Sequence, residues 1–197
     1  ARSRIASTTK ILTGLLVCEQ MALEKTVRVP KEAVGLEGSS MYLTAGEQIT
    51  VRELLYGLLL RSGNDAAAAL AILCDGSAAR FAERMNARAA QLGMENSHFC
   101  NPSGLDEDGH FSTARDLALL TRAALRNAAF REAVGTKCIT LGSRVLENHN
   151  RLLWRYPGAN GVKTGYTRAA GRVLVSSASR GGRTLIAVTI CDPNDWD

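Results

Sequence analysis

Apolar residues recur at helical spacing near the start of the chain. Ile11, Leu12, Leu15, Leu16, Val17 and Met21 form a broad apolar face, which predicts a helix over residues 7–24. Residues 27–29 read as a short strand, followed by a glycine-punctuated loop over 31–40. Thr50-Val-Arg-Glu53 has the form of a capping box, in which the threonine oxygen and the glutamate each satisfy an amide left unpaired at a helix start. It opens a predicted helix over 51–60. A break follows at Ser62-Gly63-Asn64, then an alanine-rich, almost wholly apolar stretch over 65–74 that reads as a buried helix. Residues 78–92 carry Phe81, Met85 and Leu92 on one side, with Gly93 as C-cap. Residues 99–111 are polar and broken by glycine and proline, hence a loop. A second capping box, Thr113-Ala-Arg-Asp116, opens a helix over 114–125.

The period then changes. Residues 137–141 and 145–147 alternate weakly, as short strands do. Stronger strand signals cover 162–166, 172–179 and 184–190, the last two joined by a Gly181-Gly182 hairpin turn. A helix, a mainly helical middle and a β-meander predict an α/β (α+β) fold. In it an antiparallel sheet is covered by helices, the first of them included, and a helical lobe is inserted. The expected organisation is one domain over 1–197. Its lobes are 1–49 plus 131–197 (sheet and first helix) and 50–130 (helices), with a site at their junction.

Composition narrows the function classes. The chain has 197 residues, 46% of them hydrophobic, and a formal charge of +5 without a block of like charges. That reads as a solvated basic surface, and no nucleic-acid module is visible. Cys18, Cys74, Cys100, Cys138 and Cys191 are odd in number, widely spaced and without a CxxC pair. They support neither a disulfide framework nor structural zinc, and His98, His110 and His149 have no metal-site spacing. No metal or cofactor is expected. Cys18 and Cys74 sit in apolar helical patterns, as small buried hydrophobes do. The apolar runs at 58–60 and 66–73 are far below the roughly 20 residues that span a bilayer.

The candidate chemistry is spread over three short motifs. In Ser7-Thr8-Thr9-Lys10, positions i and i+3 share a helix face, so a hydroxyl and an amine come within hydrogen-bond reach beside unpaired helix amides. Ser62-Gly63-Asn64 interrupts apolar helices with a polar feature that needs partners. Lys163-Thr164-Gly165 puts a glycine in a strand, where a ligand can approach the backbone closely. Alone, these motifs read as a helix cap, an interhelical loop and an edge strand. Together and in this order, SxxK, SxN and KTG are the signature of penicillin-binding proteins and serine β-lactamases.

The chain resembles the low-molecular-weight D-alanyl-D-alanine carboxypeptidases, peptidase family S11. The resemblance extends over almost the whole chain. It rests on Ile5-Ala-Ser-Thr-Thr-Lys10, Ser39-Ser-Met-Tyr-Leu43, Leu54-Leu-Tyr-Gly-Leu-Leu-Leu60 and Ser62-Gly-Asn-Asp-Ala66, and further on Asn101-Pro-Ser-Gly-Leu105, His110-Phe-Ser-Thr-Ala-Arg-Asp116 and Gly161-Val-Lys-Thr-Gly-Tyr166. A class A β-lactamase fits less well, since its second motif is usually Ser-Asp-Asn and its deacylating glutamate has no counterpart here. The resemblance implies a β-lactamase/transpeptidase-like fold and a serine peptidase that removes the terminal D-alanine from peptidoglycan stem peptides and is acylated by β-lactams. It implies Ser7 as nucleophile, Lys10 as base and Ser62 as proton relay. Asn64 would bond the substrate backbone or Lys10, Lys163 and Thr164 would hold the substrate's terminal carboxylate with Gly165 also binding substrate, and the amides of Ser7 and Tyr166 would form the oxyanion hole.

His110 is expected to be structural, and Asp106 to border the groove. A D,D-endopeptidase, a β-lactamase-like hydrolase and a wall-binding module of weak activity remain alternatives. The implied partners are a stem peptide ending in D-Ala-D-Ala and β-lactams, not nucleic acid. The implied location is extracytoplasmic, with any membrane association through segments absent from this sequence. The family's two strands before SxxK, its C-terminal helix and a further basic residue beyond the last strand are likewise not in it. A three-stranded sheet with an exposed edge is therefore expected.

Overall fold

The structure is a computed structural model that describes residues 1–193. The last four residues of the lobe assigned to 131–197 lie outside that range. The segment predicted as one helix over 7–24 divides in two: a 3-10 turn, Ala6–Thr9, leads into α1, Lys10–Gln20. The turn is closed by local bonds, as the Thr8 amide and hydroxyl both donate to the Ile5 carbonyl, at 3.2 and 2.6 Å. The helix stops early because Met21 takes an extended conformation.

Every residue of α1 from Lys10 to Val17 is buried. The helix is therefore central and not a one-sided cover for the sheet, as expected for a helix apolar around most of its circumference. It packs against α2 (Val51–Leu60), α3 (Asn64–Asp75), α4 (Ala78–Gln91), α5 (Ala114–Ala124) and α6 (Ala128–Gly135).

The two capping boxes part company. At Thr50 the box is complete: its hydroxyl accepts the Glu53 amide and the Glu53 carboxylate accepts the Thr50 amide at 2.8 Å. Thr50 also ends a short strand not foreseen in the sequence, β2 (Gln48–Thr50), which pairs antiparallel with β1 (Thr26–Arg28). At Thr113 only half forms. The hydroxyl accepts the Asp116 amide, but Asp116 turns its carboxylate to the Asn96 amide and the Ser97 hydroxyl, 2.9 and 2.8 Å away. The helix α6 was also unforeseen, although Asn127 caps it by accepting the Phe130 amide.

The rest is β structure around a short helix. β3 (Cys138–Leu141) and β4 (Arg144–Glu147) form a separate antiparallel hairpin, and α7 (Leu152–Arg155) follows. The strands β5 (Ala159–Thr167), β6 (Gly171–Arg180) and β7 (Arg183–Asp192) form one antiparallel sheet in that order. Gly181 and Gly182, at φ of 56° and 74°, supply the turn between Arg180 and Arg183.

Val162, Val173 and Val175 face inward, and one continuous core joins Val162 and Val175 to α1, α2, α3 and α6. On the outer face Leu185 is 74% exposed, and among the described residues β7 pairs only with β6. All five cysteines are free; Cys18 and Cys74 are half-buried, and desolvation pushes the Cys18 thiol up to about 12. Among the described residues no helix is long and apolar enough to cross a membrane, and no His, Cys, Asp and Glu group is placed to hold a metal.

Candidate active site

Ser7 sits in the 3-10 turn, one turn before Lys10 opens α1, so the two side chains meet. Lys10 Nζ lies 2.8 Å from Ser7 Oγ, 2.7 Å from Asn64 Oδ1 and 2.7 Å from the Ser103 carbonyl. Lys10 is fully buried. Burial first, and the charge of Lys163 second, hold its pKa well below the usual lysine value, while Asp65 acts in the opposite direction. A neutral amine has two N–H groups and one lone pair. Asn64 Oδ1 and the Ser103 carbonyl can only accept, so they take the two N–H groups. In that neutral form Ser7 is the one partner that can donate, so the lone pair would be left to its hydroxyl.

Two loops hold that arrangement. Asn64 opens α3 and uses its amide nitrogen on the Glu37 carbonyl at 2.7 Å, so both ends of its side chain are engaged within the protein. Of the two roles foreseen for Asn64, the geometry gives the bond to Lys10. Ser103 is fixed by Asn101, whose side-chain Oδ1 accepts from the Ser103 and Gly104 amides. Gly104, at φ +84°, packs so tightly under the Ser7 turn that a Cβ there would lie 1.9 Å from the Ala6 carbonyl oxygen. His110 bridges Thr9 and the Cys100 amide through its two ring nitrogens, at 2.9 and 3.1 Å. Desolvation pulls its pKa down to about 4, so it is a neutral strut away from the reacting atoms.

On the other side, β5 carries Lys163, Thr164, Gly165 and Tyr166. A Cβ on Gly165 would come 3.0 Å from the Ser7 amide nitrogen. The close approach foreseen for a ligand is thus made first by the Ser7 turn itself, and the neighbouring Tyr166 shares the cleft lining with Ser7. Lys163 is 1% exposed, and its ammonium donates to the Thr164 carbonyl at 2.8 Å. Desolvation lowers its pKa to about 7.

Ser7, Ser39, Ser62, His149, Thr164, Gly165, Tyr166 and Arg172 line an open cleft of about 300 Å³. A larger cavity, about 630 Å³, lies beyond Asn64 and Ser103 and lacks Ser7 on its wall. The chemistry, not the volume, locates the site. Ser39, His149 and Arg172 received no role from the sequence. Ser39 lies in a recognisable motif, and Arg172 stands opposite Tyr166 across the hairpin, a register that becomes visible only when the strands pair.

Lys163 gives a prediction about pH. Its pKa is about 7 in the folded chain against 10.5 for a free lysine, so between these values the unfolded chain binds a proton that the folded chain does not. Stability should therefore rise as pH is raised from 7 towards 10. Lys10 adds a contribution of the same sign. Melting temperatures at pH 7 and 9.5 should rise in the wild type and rise less in Lys163→Met. An equal rise in both would show that Lys163 keeps its proton.

The model of the family described as D-alanyl-D-alanine carboxypeptidase, peptidase S11, matches residues 1–194. The chain belongs to this carboxypeptidase family. D-alanyl-D-alanine carboxypeptidase DacF of Bacillus subtilis is 40% identical over 193 residues, covering 93% of this chain and 50% of the relative. D-alanyl-D-alanine carboxypeptidase DacB2 of Mycobacterium tuberculosis is 41% identical over 204 residues, covering 98% and 70%. The crystal structure of the Streptomyces K15 DD-transpeptidase superposes with a TM-score of 0.90 at 37% identity, covering 96% of this chain and 81% of that one. The carboxypeptidase-family fold is thus a mixed α/β, transpeptidase-like one. The chain spans half the length of the DacF relative.

Proposed function

We propose that the chain acts as a serine-type D-Ala-D-Ala carboxypeptidase on peptidoglycan stem peptides. The observation that carries this reading is the position of Lys10 Nζ, 2.8 Å from Ser7 Oγ and bonded to two groups that can only accept; on this reading the neutral amine gives them its N–H groups and turns its lone pair to the Ser7 hydroxyl. Ser7 attacks the carbonyl carbon of the penultimate D-alanine while Lys10 takes its proton. The Ser7 and Tyr166 amides receive the developing oxyanion. Ser62, on the cleft wall, passes a proton to the departing D-alanine nitrogen, and water then hydrolyses the ester on Ser7.

Asn64 positions Lys10, and Thr164 and Gly165 lie along the substrate end, with Lys163 beneath them as a source of positive charge. The same reading treats the chain as one domain whose lobes, 1–49 plus 131–197 and 50–130, meet at the cleft. The stem peptide lies outside the cytoplasmic membrane, so the proposed location is extracytoplasmic.

A labelled penicillin tests the mechanism. The expected result is one covalent adduct on Ser7 in the wild type, none in Ser7→Ala, and D-alanine release from diacetyl-Lys-D-Ala-D-Ala. Equal labelling of both proteins would remove Ser7 from the mechanism. Rapid penicillin turnover would favour a β-lactamase-like enzyme. Labelling without D-alanine release would indicate a binding module, and cleavage of cross-linked dimers an endopeptidase.

A further inference from the structure

The larger cavity beyond Asn64 and Ser103 has a chemistry of its own. Asn64, Ala68 and Ile72 recur at four-residue spacing on α3, so they share one face, and they line the 630 Å³ cavity along about 12 Å of helix. Leu36 and Leu105 add to it from two loops, which makes its walls mainly apolar. Its charged groups are of one sign. Glu32, Asp106 and Glu107 line it, and no lysine, arginine or histidine does, although the chain carries a net charge of +5. Arg4 pairs with Asp106 at 3.7 Å, whereas Glu32 has no ion pair among the described residues.

The cavity adjoins the reacting groups. Asn64 and Ser103, on its wall, are the two acceptors that hold Lys10. Asp106 ties it to β5, since its carboxylate accepts from the Thr167 hydroxyl at 3.0 Å. On the proposed mechanism the substrate's end lies at Thr164 and Gly165, and the scissile carbonyl meets the Tyr166 amide. The residue before the two D-alanines then comes beside Thr167, and so to Asp106 and the cavity.

We propose that this cavity takes the side chain of the residue preceding the D-alanine pair, and that it selects an aliphatic stem ending in a primary ammonium. Such a side chain lays its methylenes along apolar surface and keeps its charged end among polar groups. An acidic side chain would meet three carboxylates, and a wholly apolar one would bring them no cation. The specificity rests on the Ser7 reading above, because that reading sets the direction in which the peptide runs.

The test compares Nα-acetyl-Lys-D-Ala-D-Ala, whose side-chain amine is free, with the diacetyl peptide and with a norleucine analogue of the same stem length. Two or three partly exposed ion pairs correspond to roughly a 3- to 30-fold preference of the wild type for the free amine, read as a ratio of kcat/KM values. The double variant Glu32→Gln, Glu107→Gln should bring that ratio close to one, and Glu32→Lys should lower it as well. Taking the ratio removes any loss common to all three peptides, so a merely structural effect of these substitutions would leave it unmoved. A wild type that cleaves the three peptides alike, or a ratio that survives in the double variant, would overturn the assignment and leave the Ser7 mechanism standing. A wild type that neither labels with penicillin nor releases D-alanine from any of them would refute the Ser7 reading itself, and this role with it.

Discussion

Replacing Lys10 by methionine is expected to slow acylation of Ser7 by roughly 10²- to 10⁴-fold, the range that a positioned general base contributes. Methionine nearly fills the same buried volume, so the loss should appear in chemistry more than in folding. The pH dependence carries more detail than the loss itself. On the proposed mechanism the neutral amine is the active form, so the acylation rate should rise with pH through the Lys10 pKa. That pKa is held well below 10.5. Lys163 is the second cause of the lowering, after burial. Removing its charge in Lys163→Met should raise the Lys10 pKa and move the acid limb to higher pH. Stopped-flow labelling with a fluorescent penicillin across pH measures this. A limb that stays in place would mean that the two lysines are not coupled.

The second large effect concerns stability. Asp65→Ala should lower the unfolding free energy by about 3 kcal/mol or more, because it leaves several buried donors unpaired. The Asp65 carboxylate accepts from the amides of Met41, Leu43 and Ala66 at 2.8–3.1 Å and from the Ser40 hydroxyl at 2.6 Å. These bonds shape the backbone over 40–43, just beyond Ser39 on the cleft wall. Asp65→Asn keeps one acceptor oxygen and should fall between the two. Urea unfolding monitored by circular dichroism gives the comparison. A change below about 0.5 kcal/mol in Asp65→Ala, the range of an ordinary surface substitution, would show that the segment holds its shape without the carboxylate.

Asp65 also illustrates the limit of what the sequence discloses. Its neighbourhood is apolar and reads correctly as a buried helix, but all its partners except the Ala66 amide lie more than twenty residues earlier in a loop without periodicity. Local signals fared better. The Thr50 box and the helix it opens follow from side chains three residues apart, and the bounds 51–60 agree with the structure.

The Thr113 box shows how a local signal can be outbid. Asp116 finds better donors at Asn96 and Ser97, about twenty residues away. Long-range pairing likewise hid β2 and the facing of Arg172 onto Tyr166. The catalytic candidates were legible because their motifs are contiguous. The bonds that orient Lys10 were less so: Asn64 was read with two possible partners, and the Ser103 carbonyl, a backbone atom, leaves no mark in residue types.

Ser62 stands at φ of 60°, a left-handed backbone conformation that disfavours residues with a Cβ by roughly 1–2 kcal/mol. Glycine escapes that strain, and the chain entropy that it loses on folding, about 0.5–1 kcal/mol, is smaller. Selection for stability alone would therefore replace this serine by glycine. On the proposed proton-relay role of Ser62, selection for turnover would keep the hydroxyl. Thermostability screens that ignore activity should drift towards glycine at position 62, so the residue found there reports which of the two pressures a lineage has been under.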